Sequence, residues 1–330
     1  MRDTYQKLAT TMQGGILHVR TNNETTTICV GYRELANQLP VTEDTLFPTA
    51  SVGKVFTAVG VLQLIDQGKL SLSDTIGDVL TFDLGHLDPK VTIEQLLTHT
   101  SGVPDYCDES RYPNYADLWI HFPNYKIRKG SDLLPLFIDE PMMYEKGSRA
   151  QYNNSAFVLL GLVIEDVSKT DFYTYLKDNL FIPLGMERSC YCEFDRLKKN
   201  TASGYLFDTV KQEPYTHIYS LDARGSGAGG AFTTVLDMDR FWDGLLGGAI
   251  LSNPMVEDML TPRVELEGAH YGLGVWLDKE GNPFVDGVDP GATARSWCNR
   301  KTKDVISVFS NFEDNVFEVF HQVKNVTISS

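Results

Sequence analysis

A serine and a lysine three positions apart stand where a densely apolar stretch of the chain begins. Ser51 and Lys54 lead into residues 54–66, whose composition predicts a buried helix ended by Gly68. Residues three apart share a helical face, so the Ser51 hydroxyl and the Lys54 amine would meet. A lysine shielded from water can accept the hydroxyl proton and make the serine a nucleophile. Alone the motif is weak, because serine is a common helix cap.

A second polar cluster lies about 100 residues later, before another apolar helix predicted over residues 155–167. Tyr152 can relay protons if a nearby ammonium lowers its pKa, and Asn154 can bind a substrate amide carbonyl. The structural alternative is an asparagine-rich helix cap beside a packed tyrosine. The residues at this point leave both interpretations open.

A third candidate region, residues 284–291, combines a short strand with a turn. Gly287 is small enough for a substrate to pair with the strand backbone. The N–H of Val288 is predicted to be an oxyanion donor beside that of Ser51, whose helix start favours negative charge. Because Asp-Pro-Gly is strong turn chemistry, an ordinary turn is the alternative.

These three regions need a framework that brings both ends of the chain together. Strand patterns near both termini, with helical patterns between them, predict an α/β fold, an α+β sandwich. One antiparallel sheet would take strands from both chain ends, flanked by helices. The predicted domains are residues 1–71 with 214–330 (the sheet) and 72–213 (mostly helical). Predicted strands are 16–20, 25–30, 271–276, 284–285, 292–298 and 305–310, and predicted helices include 93–97, 171–180 and 315–323.

Composition excludes several classes of function. The chain has 330 residues, 44 of them acidic and 29 basic, and its net charge of −15 would repel nucleic acid. No apolar run approaches the roughly 20 residues that span a bilayer. The N-terminus lacks a signal-peptide pattern, which predicts a cytoplasmic protein. Nothing in the sequence requires a metal or organic cofactor, and nothing fixes the oligomeric state.

The cysteines and three other sequence features do not indicate a further functional site. Five scattered cysteines predict no disulfide framework, and Cys190 and Cys192 lack the partners of a metal site. Residues 225–230 fit Gly-x-Gly-x-x-Gly but lack the strand and the acid of a dinucleotide site. The chain has no Gly-x-Ser-x-Gly, which argues against an α/β-hydrolase. His99 is predicted to bond loop backbone.

Together the motifs resemble the serine β-lactamase and penicillin-binding-protein superfamily, most closely its class C-type members and related esterases. The similarity includes four further segments, at residues 96–104, 183–186, 229–238 and 271–274. It implies that Ser51 is acylated and that Lys54 and Tyr152 transfer protons, with the base left open. It also implies that Asn154 holds Lys54 or the substrate amide, and that Ser51 and Val288 supply oxyanion N–H groups.

The third motif departs from this family. Its usual lysine or histidine is replaced by Val285, which is followed by Asp286 and Gly287. Valine cannot attract the carboxylate that penicillins and D-Ala-D-Ala peptides carry, and Asp286 would repel it. Arg295 is the residue that would compensate, although a surface strand position is the alternative. We therefore expect a small-molecule ester or amide substrate. A D-amino-acid or peptidoglycan peptidase, a weak β-lactamase and a degenerate ligand-binding member are the alternatives.

Overall fold

The computed structural model describes residues 1–21, 24–108, 115–120 and 122–328. The helices are α1 (Arg2–Ala9), α2 (Gly53–Asp66), α3 (Ile76–Val79), α4 (Ile93–Leu97), α5 (Asn154–Ser168), α6 (Phe172–Leu176), α7 (Val235–Leu246), α8 (Asn253–Met259) and α9 (Val316–Ile328). The strands are β1 (Gly15–Arg20), β2 (Thr25–Val30), β3 (Tyr32–Glu34), β4 (Leu39–Pro40), β5 (Phe47–Pro48), β6 (Tyr205–Asp208), β7 (Glu213–Thr216), β8 (Phe232–Thr233), β9 (Val264–Leu266), β10 (Ala269–Tyr271), β11 (Trp276–Leu277), β12 (Pro283–Asp289), β13 (Ala292–Cys298) and β14 (Val305–Ser310).

One eight-stranded antiparallel sheet organises the fold, in the order β2-β1-β14-β13-β12-β11-β10-β9. The first and last long strands of the chain are neighbours, with Ile16 of β1 opposite Phe309 of β14. The sheet therefore takes strands from both chain ends, as the sequence predicted, and the fold class is confirmed. The turn of the predicted N-terminal hairpin, Asn22 and Asn23, lies outside the described residues.

Helices cover both faces of the sheet. On one face α1 and α9 close a smaller core around Leu17, Trp297 and Phe320. On the other face α2, α5 and α7 pack into the larger core. Helix α2 has no polar face, since twelve of its fourteen residues are buried, and Lys54 is the charged one among the twelve. A buried lysine in such a helix requires a reason, because a charge loses its hydration there.

Three local predictions were wrong or incomplete. The strand predicted over 271–276 is two strands, β10 and β11, because the chain turns at Gly274, whose φ is +76°. The helix predicted over 171–180 is α6 followed by a π turn, Lys177–Phe181.

Cys190 and Cys192 form a disulfide, although the sequence predicted no disulfide framework. A pair two residues apart closes too small a loop to be recognised as a framework from cysteine spacing.

Two other predictions concern organisation and surroundings. The proposed domain boundary between residues 213 and 214 falls inside the β6–β7 hairpin, and the two-domain division stays a prediction. Among the described residues, no helix has the length and apolar character needed to cross a membrane. The cytoplasmic location also stays a prediction.

Candidate active site

Ser51 lies in a 3-10 turn, Ala50–Val52, that leads directly into α2. The preceding residue, Ala50, has φ +49°, in the left-handed region that residues with a side chain seldom adopt. Its carbonyl accepts a hydrogen bond of 3.0 Å from the Gly230 N–H, which holds the turn in place. The sharp turn presents Ser51 at the start of the helix, and such local strain is typical of functional sites.

The amine of Lys54 lies at the centre of the site. Its Nζ is 3.0 Å from the Ser51 Oγ, 2.7 Å from the Asn154 Oδ1 and 2.5 Å from the Ala228 carbonyl oxygen. The side chain is only 3% exposed. Burial lowers the pKa of Lys54 to about 8, although the charge of Asp105 opposes this. A substantial fraction of the amine is therefore neutral in mildly alkaline solution and able to take the serine proton.

Tyr152 packs beside this amine. The Lys54 Nζ lies 4.8 Å from the centre of the Tyr152 ring, which also stacks against Trp276 at 6.2 Å. Burial raises the pKa of Tyr152 well above its ordinary value, and a hydrogen bond with Ser51 lowers it in part. The phenol is therefore neutral near pH 7, and Lys54 is the better proton acceptor of the two.

Two residues that the sequence did not assign to the site hold this cluster in position. His99 Nδ1 accepts a 3.0 Å hydrogen bond from the Asn153 N–H, and its ring lies 4.6 Å from that of Tyr152. Asp105 Oδ2 accepts from the Asn154 N–H at 3.1 Å and from its Nδ2 at 3.4 Å, which turns Oδ1 of that amide toward the lysine. Asp105 directly follows the 96–104 segment, and that position is the only sequence signal for it.

The glycine-rich segment 225–230, set aside as a dinucleotide motif, contributes to the site in another way. The Ala228 carbonyl accepts from Lys54, and the Gly227 carbonyl accepts from the Thr57 hydroxyl at 2.8 Å. A side chain on Gly227 would meet the Phe157 carbonyl oxygen at 2.2 Å. Glycine is therefore needed here for close approach to α2 and α5, a role that the sequence alone did not indicate.

Strand β12 passes beside the nucleophile. A Cβ on Gly287 would lie 2.1 Å from the Thr49 carbonyl oxygen and 3.0 Å from the Ser51 nitrogen, so only glycine permits this approach. Strand β11 pairs with β12 only through Pro283 and Phe284. Among the described strands, none pairs with the rest of that edge, which runs along the cleft past the 57%-exposed Val288. The backbone at Gly287 therefore lies next to the Ser51 nitrogen. The roles of the Ser51 and Val288 N–H groups as oxyanion donors stay a prediction.

The structure does not bring Arg295 to the cleft, which corrects the role expected for it. Arg295 lies opposite Asp286 in the β12–β13 ladder and donates to its carboxylate through Nε at 2.5 Å and through a second nitrogen. The guanidinium is covered by the Phe317 and Phe320 rings of α9, at 4.6 and 5.1 Å. Successive side chains of a strand point to opposite faces, so this pair lies behind the strand that carries Gly287 toward Ser51. Asp286 therefore repels nothing in the cleft, and Arg295 adds no charge to it.

The cleft in front of Ser51 has a volume of about 630 Å³ and a strongly acidic lining. No lysine or arginine is among its lining residues in the described part of the chain. Burial, with repulsion from Asp289, raises the pKa of Asp222 to about 7, and burial raises that of Asp289 to about 7. The described residues contain no group of three His, Cys, Asp or Glu side chains able to hold a metal ion. The acidic lining residues are Asp105, Asp108, Asp222, Glu267, Asp289 and Glu313.

A serine hydroxyl bonded to a buried lysine, beside the free edge of an antiparallel sheet, defines a serine hydrolase site. The chain matches the Beta-lactamase family over residues 1–325 and belongs to that family. A penicillin-binding protein from Bacillus halodurans is 35% identical, with a TM-score of 0.92 over 99% of this chain and 100% of that one.

Two further proteins differ in how far their similarity to this chain reaches. Penicillin-binding protein 4* of Bacillus subtilis (strain 168) is 30% identical over 267 residues, which are 75% of this chain but only 55% of that relative. The D-amino acid amidase from Ochrobactrum anthropi SV3, in complex with L-phenylalanine amide, has a TM-score of 0.79 over 98% of this chain and 99% of that one. Its identity of 22% makes this a likeness of fold.

Proposed function

We propose that the protein hydrolyses esters or small amides through an acyl-enzyme on Ser51. The observation that carries this proposal is the Lys54 amine, buried, with its pKa lowered to about 8, and 3.0 Å from the serine hydroxyl. An amine in this state removes the hydroxyl proton as the oxygen attacks. Asn154 fixes the amine, and Asp105 fixes the asparagine.

The reaction then follows from the positions of the same groups. The Ser51 Oγ adds to the substrate carbonyl carbon while Lys54 takes its proton, and the N–H groups of Ser51 and Val288 stabilise the oxyanion. As the tetrahedral intermediate collapses, the proton passes to the leaving group through Lys54 and the Tyr152 phenol. Water attacks the acyl-enzyme in a second round and returns Ser51 to its free form. The raised pKa of Tyr152 supports Lys54 as the base.

Substrates without a carboxylate beside the scissile bond fit the cleft best. Val285 is apolar and 4% exposed where the family usually has a cation, and Arg295 is bonded to Asp286 behind the strand. Among the described lining residues, a carboxylate in this cleft would meet six acidic side chains and no lysine or arginine to offset them. Short-chain nitrophenyl esters should therefore be better substrates than benzylpenicillin.

A D-amino-acid amidase or peptidase is the second candidate, favoured by the fold shared with the D-amino acid amidase. Like the first candidate, it requires acylation of Ser51. The penicillin-binding relatives also make weak acylation by penicillins an alternative to test. A ligand-binding member without turnover is the third alternative, because the usual cation of the third motif is replaced.

Covalent labelling separates these alternatives. Intact mass measured after incubation with a fluorophosphonate should show one adduct, which the Ser51→Ala variant lacks, and nitrophenyl acetate should be hydrolysed. Benzylpenicillin turnover at ordinary enzyme rates without ester hydrolysis would contradict the substrate proposal. If neither the fluorophosphonate nor benzylpenicillin forms an adduct, the result would favour a binding protein.

A further inference from the structure

Two carboxylates that line the cleft have no ion-pair partner in the part of the chain that the structure describes. Within the described residues, neither Asp222 nor Asp289 forms an ion pair or accepts a hydrogen bond from another side chain, and both line the cleft that contains Ser51. Neither carboxylate therefore has an ion-pair partner among the described residues, although the charge of Lys54 opposes the rise in the pKa of Asp289. The charged form is unfavourable at such partly buried positions unless a cation from a ligand stabilises it.

The surroundings of Asp222 fit an organic cation. Tyr106 and Tyr115 line the same cleft and are hydrogen-bonded to each other, and the charge of Asp222 raises the pKa of both. Aromatic rings beside a carboxylate attract an ammonium group through their π faces. A hydrated metal ion prefers several oxygen ligands, and the described residues contain no such cluster.

Asp289 fixes how far such a cation would lie from the reacting carbonyl. It stands two residues after Gly287 on β12, and side chains two apart on a strand share a face at a spacing of about 6–7 Å. The backbone at Gly287 lies beside the Ser51 nitrogen, where the scissile carbonyl would be held. A cation bound by Asp289 is therefore within a few bonds of that carbonyl.

We propose that the substrate acylating Ser51 carries a protonated amine, within a few bonds of the scissile carbonyl, that Asp222 and Asp289 bind. Amino-acid amides and esters with a free amine are the matching chemical class. The inference rests on the proposed function, since it names what the same cleft recognises. It also accounts for the apolar Val285, because a substrate recognised by its amine needs no cation there.

Matched substrates that differ only in charge test this recognition. The panel is alanine p-nitroanilide in both enantiomers, N-acetylalanine p-nitroanilide and N-succinylalanine p-nitroanilide. Acetylcholine and 3,3-dimethylbutyl acetate form a second pair. Acetylcholine carries its cation on the leaving group, and 3,3-dimethylbutyl acetate is the neutral analogue. We expect kcat/KM for the ammonium member to exceed that of its neutral partner about tenfold or more in at least one pair at pH 7.5. The succinyl compound should be poorest, and added salt should shrink the preference.

Variants connect the preference to the two carboxylates. Asp222→Asn and Asp289→Asn should each lower the ammonium-to-neutral ratio of kcat/KM about tenfold. The matched control is Asp178→Asn, an exposed aspartate outside the cleft lining, which should leave the ratio unchanged. Equal kcat/KM within both pairs, or a ratio that neither cleft variant alters, would overturn the inference.

Failure of the inference can be told from failure of the proposed function. If nitrophenyl acetate is hydrolysed through Ser51 but no ammonium preference exists, the hydrolase stands and the amine recognition is wrong. If nothing is hydrolysed, calorimetry on the Ser51→Ala variant still decides the recognition. Alaninamide should then bind about tenfold more tightly than N-acetylalaninamide, and equal affinities would overturn the inference.

Discussion

The charged side chains on the two faces of β12 differ in whether they form ion pairs. Behind the strand, Asp286 and Arg295 form a two-pronged ion pair covered by aromatic rings of α9. In front of it, Asp289 has no ion-pair partner among the described residues and is influenced only by the more distant charge of Lys54. Lys54 itself donates to three uncharged acceptors. The two faces are separated by the thickness of a single strand.

This difference separates structural charge from functional charge. A buried pair with good geometry offsets much of its own desolvation penalty, and removing one member alone is strongly destabilising. A buried amine and partly buried carboxylates that lack ion-pair partners lower stability in the free protein, and they have shifted pKa values that suit proton transfer or ligand binding. The unpaired face is therefore expected to trade stability for activity, and the paired face to contribute stability alone.

Replacing Lys54 with methionine should have the largest effect on activity. The variant keeps the length of the side chain but cannot accept the Ser51 proton, so kcat should fall about 10³-fold or more. The control Lys69→Met changes an exposed lysine and should leave kcat unaltered. In the wild type, kcat/KM for nitrophenyl acetate should rise with pH through about 8, because deprotonation makes the amine a base. A Lys54→Met enzyme of near-normal rate would show that the unpaired face has no catalytic base.

The Gly287→Ala variant should lose less activity than Lys54→Met, about 10²-fold in kcat/KM. The added carbon would meet the Thr49 carbonyl oxygen and move β12 away from Ser51, and displacements of about 1 Å have effects of this size. The neighbouring change Val288→Ala removes atoms from an exposed side chain without touching its N–H, and it should cost less than about threefold. Equal losses from the two variants would contradict the close approach.

Breaking the pair behind the strand should change stability and leave kcat in place. Asp286→Asn and Arg295→Met should each lower the free energy of unfolding by about 2–4 kcal/mol, because each leaves a partly buried charge without its partner. The double variant should lose less than the sum, with a coupling of about 1–2 kcal/mol in urea unfolding. A kcat that falls tenfold in properly folded Arg295→Met would place this face in the reaction after all.

The smallest effect is a change of stability with pH on the front face. The pKa values of Asp222 and Asp289 are raised in the folded protein, so it binds more protons than the unfolded chain between about pH 4 and 7. Their stabilising contribution is therefore greatest in acid and is lost as pH rises through about 7. Asp289→Asn should gain about 1 kcal/mol relative to the wild type at pH 8 and less at pH 5. Urea unfolding at both pH values measures this, and a larger gain at pH 5 would reverse the argument.

The candidate catalytic groups could be proposed from the sequence because they come in short segments. Ser51 and Lys54 share one helical turn, and Tyr152 and Asn154 share one helix start, so local spacing predicted each pair and the resemblance to a known family connected the two pairs. Ala228, His99 and Asp105 reach the same cluster only through long-range packing, which no local pattern encodes. The antiparallel sheet was predictable from strand patterns at both ends of the chain.

The misplacement of Arg295 shows where sequence reasoning fails. Its distance from Gly291 along the chain does not say which face of β13 it occupies, because that depends on the register with β12. A shift of one residue would have reversed the answer. The alternation of side chains along β12 did carry the information that Asp286 and Gly287 point opposite ways.

The free edge of β12 has a consequence for what can reach Ser51. Exposed strand edges usually invite pairing with other sheets, and proteins protect them to avoid aggregation. This edge lies inside a cleft, so a single extended chain can lie along it while a folded partner is held off by the walls. We therefore expect the recess to exclude folded partners and to limit pairing of this edge with other sheets.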